Sequence, residues 1–131
     1  MRILVVDDSP VVRIALRGIL EGEGFTVAEA EDGDRIIGGT GRVEANLVLC
    51  DMLMPGCNGL QVVRELRHRW PTVKIIAMSG ARNEGKADML QTALYLGADA
   101  ILYKPIDPTL LLETVRRVAQ KPTQESAAVE K

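Results

Sequence analysis

Residues that could perform chemistry stand directly after several short apolar runs of this 131-residue chain. Asp7 and Asp8 follow the first run, whereas three later runs are followed by Asp51, Ser79 and Lys104 in turn. Three carboxylates gathered in one place repel one another by roughly 4 kcal/mol per pair at 4 Å and an effective dielectric of 20, and a divalent cation would relieve that repulsion. Oxygen ligands favour a hard ion, and a site with room for water and phosphate favours Mg²⁺ over Ca²⁺.

The other two residues suit phosphate rather than metal. Lys104 cannot ligate a metal ion, but its ammonium can pair with Asp51 and then with phosphate oxygens, while the Ser79 hydroxyl can donate to another phosphoryl oxygen. In phosphoryl transfer a protein chiefly positions groups and balances charge, and a carboxylate can be the nucleophile that becomes an acyl phosphate. The set therefore predicts Mg²⁺-dependent phosphoryl transfer if the fold brings these residues together.

They can meet only if the apolar runs form one sheet. The runs are rich in Val, Ile and Leu and nearly continuous, as strands buried on both faces are: 3–6, 25–28, 47–50, 73–78 and 100–103. Between the runs, apolar residues recur with helical spacing. The stripes are Val12, Ala15, Leu16 and Ile19; Leu60, Val63 and Leu66; Leu90, Ala93, Leu94 and Gly97; and Leu111, Val115 and Val118.

This alternation predicts an α/β fold of the (βα)₅ type, a doubly wound, five-stranded parallel sheet with helices on both faces. Any site then lies beyond the carboxyl ends of the strands. Asp107 and Pro108 suit the cap and first turn of the last helix. The helix at 35–42 should be short or mobile because it contains three glycines. We expect one domain at 1–120 and a disordered tail at 121–131.

Composition argues against several other classes. The chain has 16 basic and 18 acidic residues, so it lacks the basic excess that would indicate direct nucleic acid binding. No apolar run approaches the ~20 residues that span a bilayer, and the N-terminus turns acidic too soon for a signal peptide. We therefore expect no membrane insertion and a cytoplasmic location. Cys50 and Cys57 are accompanied by no further cysteine or histidine pair, which favours reduced thiols over zinc or a disulfide framework.

Four stretches carry a resemblance to a known family. The strings LVVDDS, LVLCDMLMPGCNG, IAMSG and GADAILYKPI resemble the signature stretches of response-regulator receiver domains of two-component signalling, in order and at close to the family spacing. The resemblance covers about residues 2 to 119 and extends to the stand-alone chemotaxis response regulators. It implies a flavodoxin-like sheet with strand order 2-1-3-4-5.

The resemblance also implies roles for individual residues. Asp51 resembles the phosphoacceptor of the family. Asp8 and Asp51 would ligate Mg²⁺ directly, together with the backbone carbonyl of Leu53, and Asp7 would hold the ion mainly through water. Self-dephosphorylation should be slow, because Leu53 and Ala81 stand where a polar side chain could orient the hydrolytic water.

Ser79 would be the switch hydroxyl and Lys104 the lysine that pairs with phosphate, and the Lys104–Pro105 bond is expected to be cis. The family's switch aromatic usually lies three residues before this lysine, where this chain has Ile101. Activation should therefore not depend on movement of a ring at that position. Tyr103 should point away from Lys104 by strand alternation, and we assign it no role.

The function that follows is that of a single-domain response regulator. A histidine kinase or histidine phosphotransfer protein would phosphorylate Asp51, and output would pass through a protein partner. The chain would catalyse only its own phosphorylation and dephosphorylation. Two alternatives stay open, a phosphate shuttle or sink and a phosphorylation-independent adaptor. A magnesium phosphohydrolase is disfavoured because those enzymes carry Asp-x-Asp after the first strand, whereas this chain has Asp7-Asp8-Ser9.

Overall fold

A parallel sheet of five strands forms the centre of the fold. The computed structural model describes residues 1–31, 45–54, 57–80 and 87–121. The strands in these ranges are β1 (Arg2–Val6), β2 (Thr26–Ala30), β3 (Leu47–Asp51), β4 (Leu53–Met54), β5 (Cys57–Asn58), β6 (Lys74–Ser79) and β7 (Ala100–Tyr103). The helices in these ranges are α1 (Pro10–Gly22), α2 (Gly59–Arg69), α3 (Ala87–Leu96) and α4 (Pro108–Gln120).

The strands of the sheet lie in the order β2-β1-β3-β6-β7, and each neighbouring pair is parallel. This is the predicted order 2-1-3-4-5, so the α/β class and the doubly wound, flavodoxin-like topology are confirmed. β4 and β5 form a separate antiparallel sheet that was not predicted. Each of these two strands has only two residues, which is too short to leave a period in the sequence.

Alternation along the strands divides the core into two clusters, one on each face of the sheet. In β3, Val48 and Cys50 belong to one cluster, whereas Leu47 and Leu49 belong to the other. Helices α2 and α3 cover the first cluster, and α1 and α4 cover the second. Because both faces are covered, β3 is buried at every residue, which explains its continuous apolar run.

The helices that open on proline begin with capping side chains. Asp107 caps α4, as predicted, by accepting a hydrogen bond from the backbone N–H of Leu110 at 3.0 Å. Ser9 caps α1 in the same way through the N–H of Val12 at 3.3 Å. The predicted core stripe of α4 is confirmed, because its members are fully buried: Leu111, Val115 and Val118.

The predicted stripes of α1 and α3 are only partly right. In α1, Leu16 and Leu20 are buried, but Ala15, which was expected in the core, is exposed. In α3, Ala93 is buried, whereas Leu94 is 37% exposed. A helical period marks which face turns inward, but the width of the buried stripe depends on the neighbouring elements.

At the amino edge of the sheet, Arg67 of α2 joins separate parts of the chain. Its guanidinium donates hydrogen bonds of 2.7 to 3.1 Å to one carboxylate and three main-chain carbonyls, those of Asp99, Gly97, Pro71 and Val73. Gly97 has a φ of 121°, and a Cβ there would lie 2.8 Å from Cγ of Arg67. Only glycine combines that backbone conformation with so close an approach.

Further cations surround Asp99, whose side chain is 1% exposed. Its Oδ2 accepts the N–H of Ile75 at 2.9 Å, and Nζ of Lys121 lies 3.7 Å from its Oδ1. Lys74 donates to the main-chain carbonyl of Lys121 at 2.5 Å. Burial lowers the pKa of Lys74, although the charge of Asp99 opposes this shift. Arg67, Lys74, Asp99 and Lys121 are called the amino-edge network below.

The single tryptophan of the chain, Trp70, lies between α2 and β6 at the same amino edge. Its backbone N–H donates to the carbonyl of Leu66 at 2.8 Å, and its partly buried ring packs against the core. The guanidinium of Arg69 lies 6.0 Å from the ring centroid, within reach of a cation–π interaction. Trp70 therefore joins the end of α2 to the core.

Some predicted features lie outside the described residues: the helix at 35–42, Ala81 and the chain from 122 to 131. Within the described ranges, none of the helices combines the length and the apolar character that crossing a bilayer requires.

Candidate functional site

The carboxyl edge of the sheet gathers the polar residues that the sequence singled out. Asp7 and Asp8 follow β1, Asp51 ends β3, Ser79 ends β6 and Lys104 follows β7. These strands are parallel neighbours in the sheet, so their carboxyl ends face the same side. The predicted meeting of these elements at one edge is therefore observed.

The three carboxylates form one cluster. Asp7, Asp8 and Asp51 each offer an oxygen, and these oxygens all lie within 4.8 Å of one another. Asp7 is fully buried and Asp51 is 3% exposed, whereas Asp8 is exposed to solvent. The cluster thus has a buried floor and an open side. Such an all-oxygen set, open to water, fits a hard divalent cation such as Mg²⁺.

The ammonium of Lys104 contacts two carboxylates of this cluster. It donates to Oδ2 of Asp7 at 2.7 Å and lies 3.4 Å from Oδ2 of Asp51. The sequence suggested pairing with Asp51, but the shorter contact is to Asp7. Burial alone would lower the pKa of Lys104; the hydrogen bond to Asp7 and the charges of Asp51 and Asp7 outweigh burial and raise that pKa. The ammonium is therefore charged and close to both carboxylates.

Ser79 and Leu53 stand where the sequence placed them. Ser79 is fully buried at the end of β6, and its carbonyl accepts the backbone N–H of Lys104 at 2.8 Å. Leu53 begins β4, two residues after Asp51. The thiol of Cys50 is buried and donates to the main-chain carbonyl of Asp51 at 3.6 Å. The Lys104–Pro105 peptide bond is cis, as expected.

Ile101 and Tyr103 share one face of β7. Both are partly buried and pack against the cluster covered by α2 and α3, whereas Leu102 belongs to the opposite cluster. Tyr103 therefore points away from Leu102, as strand alternation predicted. This is also the face of Ile101. The aromatic ring missing from position 101 thus lies two residues further along the same face.

One contact to the acidic loop was missed by sequence reasoning. Arg13 of α1 donates from Nη1 to the main-chain carbonyl of Asp7, and its Nε pairs with Oε1 of Glu29 at 3.0 Å. A signal did exist. Arg13 and Arg17 are one helical turn apart and flank the apolar stripe of α1, and Glu29 interrupts an otherwise apolar strand. A partly buried charged residue between apolar strand residues calls for a partner of opposite charge.

Comparisons with known proteins agree with this architecture. A family model described as the response regulator receiver domain matches residues 3–116. Transcriptional regulatory protein ResD of Bacillus subtilis is 34% identical over 125 residues, or 95% of this chain and 50% of ResD. Protein CcdB of the same organism is 34% identical over 118 residues, or 89% of this chain and 96% of CcdB.

Among solved structures, the CheY-like receiver domain protein of Methanospirillum hungatei matches with a TM-score of 0.80 and 29% identity, over 90% of this chain and 92% of that one. The fold and its acidic edge thus define a CheY-like signalling domain. The chain belongs to the response regulator receiver domain family of two-component systems. It spans half the length of ResD and nearly all of CcdB.

Proposed function

We propose that this receiver domain accepts a phosphoryl group on Asp51 from a phosphohistidine of a histidine kinase or histidine phosphotransfer protein. One observation supports this above the others: the buried Asp51 carboxylate lies within 4.8 Å of the acidic pair and 3.4 Å from the ammonium of Lys104. A nucleophilic carboxylate must be shielded from water yet stand beside positive charge that stabilises the incoming phosphate.

The transfer can be written with the chain's own residues. A carboxylate oxygen of Asp51 forms a bond to phosphorus while the bond from phosphorus to the donor nitrogen breaks, and the leaving imidazole keeps that electron pair. Lys104 pairs with Asp51 before the transfer and with a phosphoryl oxygen after it, and the Ser79 hydroxyl donates to another phosphoryl oxygen. Asp7, Asp8, Asp51 and the backbone carbonyl of Leu53 would hold Mg²⁺, which when bound neutralises charge on both reactants.

A groove beside the site supports approach by a protein donor. It encloses about 560 Å³ between α1 and the segment after β7, and Lys104 and Gly80 line the end nearest Asp51. Val11, which lines its wall, is 76% exposed, and Ile14 on the same helix is 67% exposed. Val11 and Ile14 are three positions apart on one side of α1, so they form one exposed apolar patch beside the groove, and such a patch is typical of an interaction site. We propose that the element carrying the donor histidine packs here.

We further propose that the chain acts as a single-domain, cytoplasmic regulator whose output passes to a protein partner. Protein CcdB, 96% of which is matched, is a relative of about one receiver domain in length, whereas ResD shows that such domains also occur in proteins twice as long. If this protein instead passes its phosphoryl group to a second histidine protein, it is a phosphate shuttle. A partner that binds Asp51→Asn and phosphorylated protein equally well would make it an adaptor.

Phosphorylation with acetyl phosphate in Mg²⁺ tests the central proposal. Intact mass should rise by one phosphoryl group in the wild type, and Asp51→Asn should abolish the adduct. Asp107→Asn is the matched control, because asparagine replaces aspartate well at a helix N-cap and the site is untouched. Excess chelator should suppress labelling of the wild type. An adduct that persists in Asp51→Asn, or full labelling in chelator, would refute the assignment.

A further inference from the structure

We infer that Arg13 is a positioning residue that orients the acidic loop for the metal, an inference that rests on the proposed function. Nη1 of Arg13 donates to the main-chain carbonyl of Asp7 at 2.5 Å. That carbonyl belongs to the peptide unit joining Asp7 to Asp8. Because a peptide unit is planar, holding its oxygen also restrains the N–Cα bond of Asp8, from which the side chain of Asp8 projects.

Asp8 depends on this constraint more than its neighbour does. Asp7 is held independently by its side chain, which accepts from Ser9 N–H at 2.9 Å and from Lys104 at 2.7 Å, and by its own N–H, which donates to Ala30 at 3.1 Å. Asp8 is exposed and offers its oxygen from the open side of the cluster. The peptide plane before Asp8 is therefore the constraint that the fold can place on the direction of that carboxylate.

The guanidinium of Arg13 is itself held rigidly. Oε1 of Glu29 pairs with its Nε, while Oε2 of Glu29 pairs with Arg17, which also donates to the carbonyl of Val27 at 2.6 Å. Side-chain exposure is 15% for Arg13 and 23% for Glu29, so the pair is largely shielded from solvent. The bond from Nε to Glu29 holds one edge of the planar guanidinium, and this directs Nη1 towards the Asp7 carbonyl.

Arg17 provides a matched control for the alternative that this network merely attaches α1 to β2. Both arginines share Glu29 and both donate to a main-chain carbonyl, but only Arg13 donates to the acidic loop. A positioning role affects metal affinity mainly through Arg13, because Arg17 acts on the acidic loop only by way of Glu29. A general attachment role affects stability through both residues and leaves metal affinity the same in both variants.

Electrostatics predicts the opposite sign from positioning. Arg13 is a cation near a cation site, so its removal should tighten Mg²⁺ binding if charge alone matters. If Arg13 orients the ligands, removal should weaken binding. Residues that orient metal ligands typically change affinity 10–100-fold, and the bond here reaches a backbone rather than a ligand atom. We therefore expect a change at the low end, about 10-fold.

The experiment is calorimetric titration of full-length wild type, Arg13→Gln, Arg13→Lys and Arg17→Gln with MgCl₂, with thermal unfolding in chelator to confirm that each is folded. We expect Arg13→Gln to bind Mg²⁺ about 10-fold more weakly than wild type. Arg17→Gln should bind like wild type. Arg13→Lys should recover part of the affinity, because an ammonium can still donate to the Asp7 carbonyl.

Other outcomes separate the two levels of the argument. Equal or tighter binding by Arg13→Gln, or equal weakening by Arg17→Gln, would overturn the positioning role and leave the metal site standing. Wild type that releases no heat and shows no Mg²⁺-dependent rise in melting temperature would overturn the proposed metal site, and the role of Arg13 with it.

Discussion

The two edges of the sheet treat charge in opposite ways. At the carboxyl edge, three carboxylates lie close together, those of Asp7, Asp8 and Asp51, and the ammonium of Lys104 pairs with the two buried ones. At the amino edge, the cations of the network surround one buried carboxylate, Asp99, and also donate to main-chain carbonyls. Helices of a βα fold end at the amino edge, where their carbonyls suit cations, and begin at the carboxyl edge, where their N–H groups suit anions.

The difference separates a binding site from a structural junction. In the amino-edge network, the buried carboxylate already has its partners, so nothing further is needed to stabilise it. The carboxyl edge has an excess of negative charge among the described residues, so we expect a cation from outside to stabilise the folded protein. Substitutions of similar chemistry should consequently change the free energy of unfolding differently at the two edges.

The largest effect should come from Arg67→Met. Removal of the guanidinium leaves the buried carboxylate of Asp99 without its closest cation, and breaking a buried ion pair typically costs about 3–5 kcal/mol. Equilibrium unfolding in urea would measure the loss. Arg64→Met on the exposed face of the same helix is the control and should stay within about 0.5 kcal/mol of wild type. A loss below 1 kcal/mol in Arg67→Met would contradict a structural role for the network.

At the other edge, the change in the free energy of unfolding caused by Lys104→Met should depend on whether Mg²⁺ is present. Without Mg²⁺ we expect a loss of about 2 kcal/mol, because the buried Asp7 and Asp51 lose a charged hydrogen-bond partner. Mg²⁺ should restore most of it, since the ion supplies the missing positive charge. The raised pKa of Lys104 means that its stabilisation is complete below its ordinary pKa and is lost only as pH rises through the raised value.

Urea unfolding of Lys104→Met and Lys121→Met, each with and without Mg²⁺, sharpens the comparison. Lys121 is the matched residue because it also contacts a buried aspartate. Its loss should be unaffected by Mg²⁺. A metal-independent loss in Lys104→Met would show that the carboxyl edge behaves like the amino edge.

Asp51→Asn should stabilise the metal-free protein by about 1 kcal/mol, because one of the clustered like charges is removed while Lys104 keeps its bond to Asp7. Asp99→Asn should do the reverse and destabilise it. Urea unfolding of both variants in chelator provides the measurement. If Asp51→Asn also lost stability, the carboxyl edge would not be strained by its own charge.

The smallest change is expected for Lys74→Met, within about 1 kcal/mol of wild type. Methionine replaces the buried aliphatic part of the lysine side chain. Burial disfavours the charged ammonium, which both destabilises the folded state and lowers the pKa of Lys74. That cost is present at neutral pH and shrinks as pH rises through the lowered pKa towards the ordinary value. Unfolding at pH 7 and pH 10 should therefore show a rise in wild type that Lys74→Met lacks. A loss above 2 kcal/mol would make the ammonium essential to the network.

The sequence predicts the parallel sheet and the acidic cluster well because both depend on local patterns. Buried strands such as β3 are continuous apolar runs, and a polar residue such as Asp51 at the end of a run must lie at the sheet edge. Asp107 before Pro108 likewise identifies a helix start from neighbouring residues alone.

Contacts between distant residues could not be predicted in the same way. Arg67 and Asp99 are 32 positions apart, and their pairing depends on how α2 and β7 pack across β6. The ammonium of Lys104 lies 2.7 Å from Oδ2 of Asp7 and 3.4 Å from Oδ2 of Asp51, and no spacing in the sequence encodes this difference. Arg13 is one of two arginines on α1 that face Glu29, and only the fold distinguishes the one that reaches the acidic loop.

The location of Trp70 gives the protein a built-in optical separation of folding from binding. The indole is the sole tryptophan fluorophore, and it is at the end of the molecule opposite Asp51. Its emission should shift when the core opens in denaturant and stay constant when Mg²⁺ or phosphate is added. Fluorescence of the unmodified protein can therefore report unfolding alone, while calorimetry or mass spectrometry measures ligand binding separately.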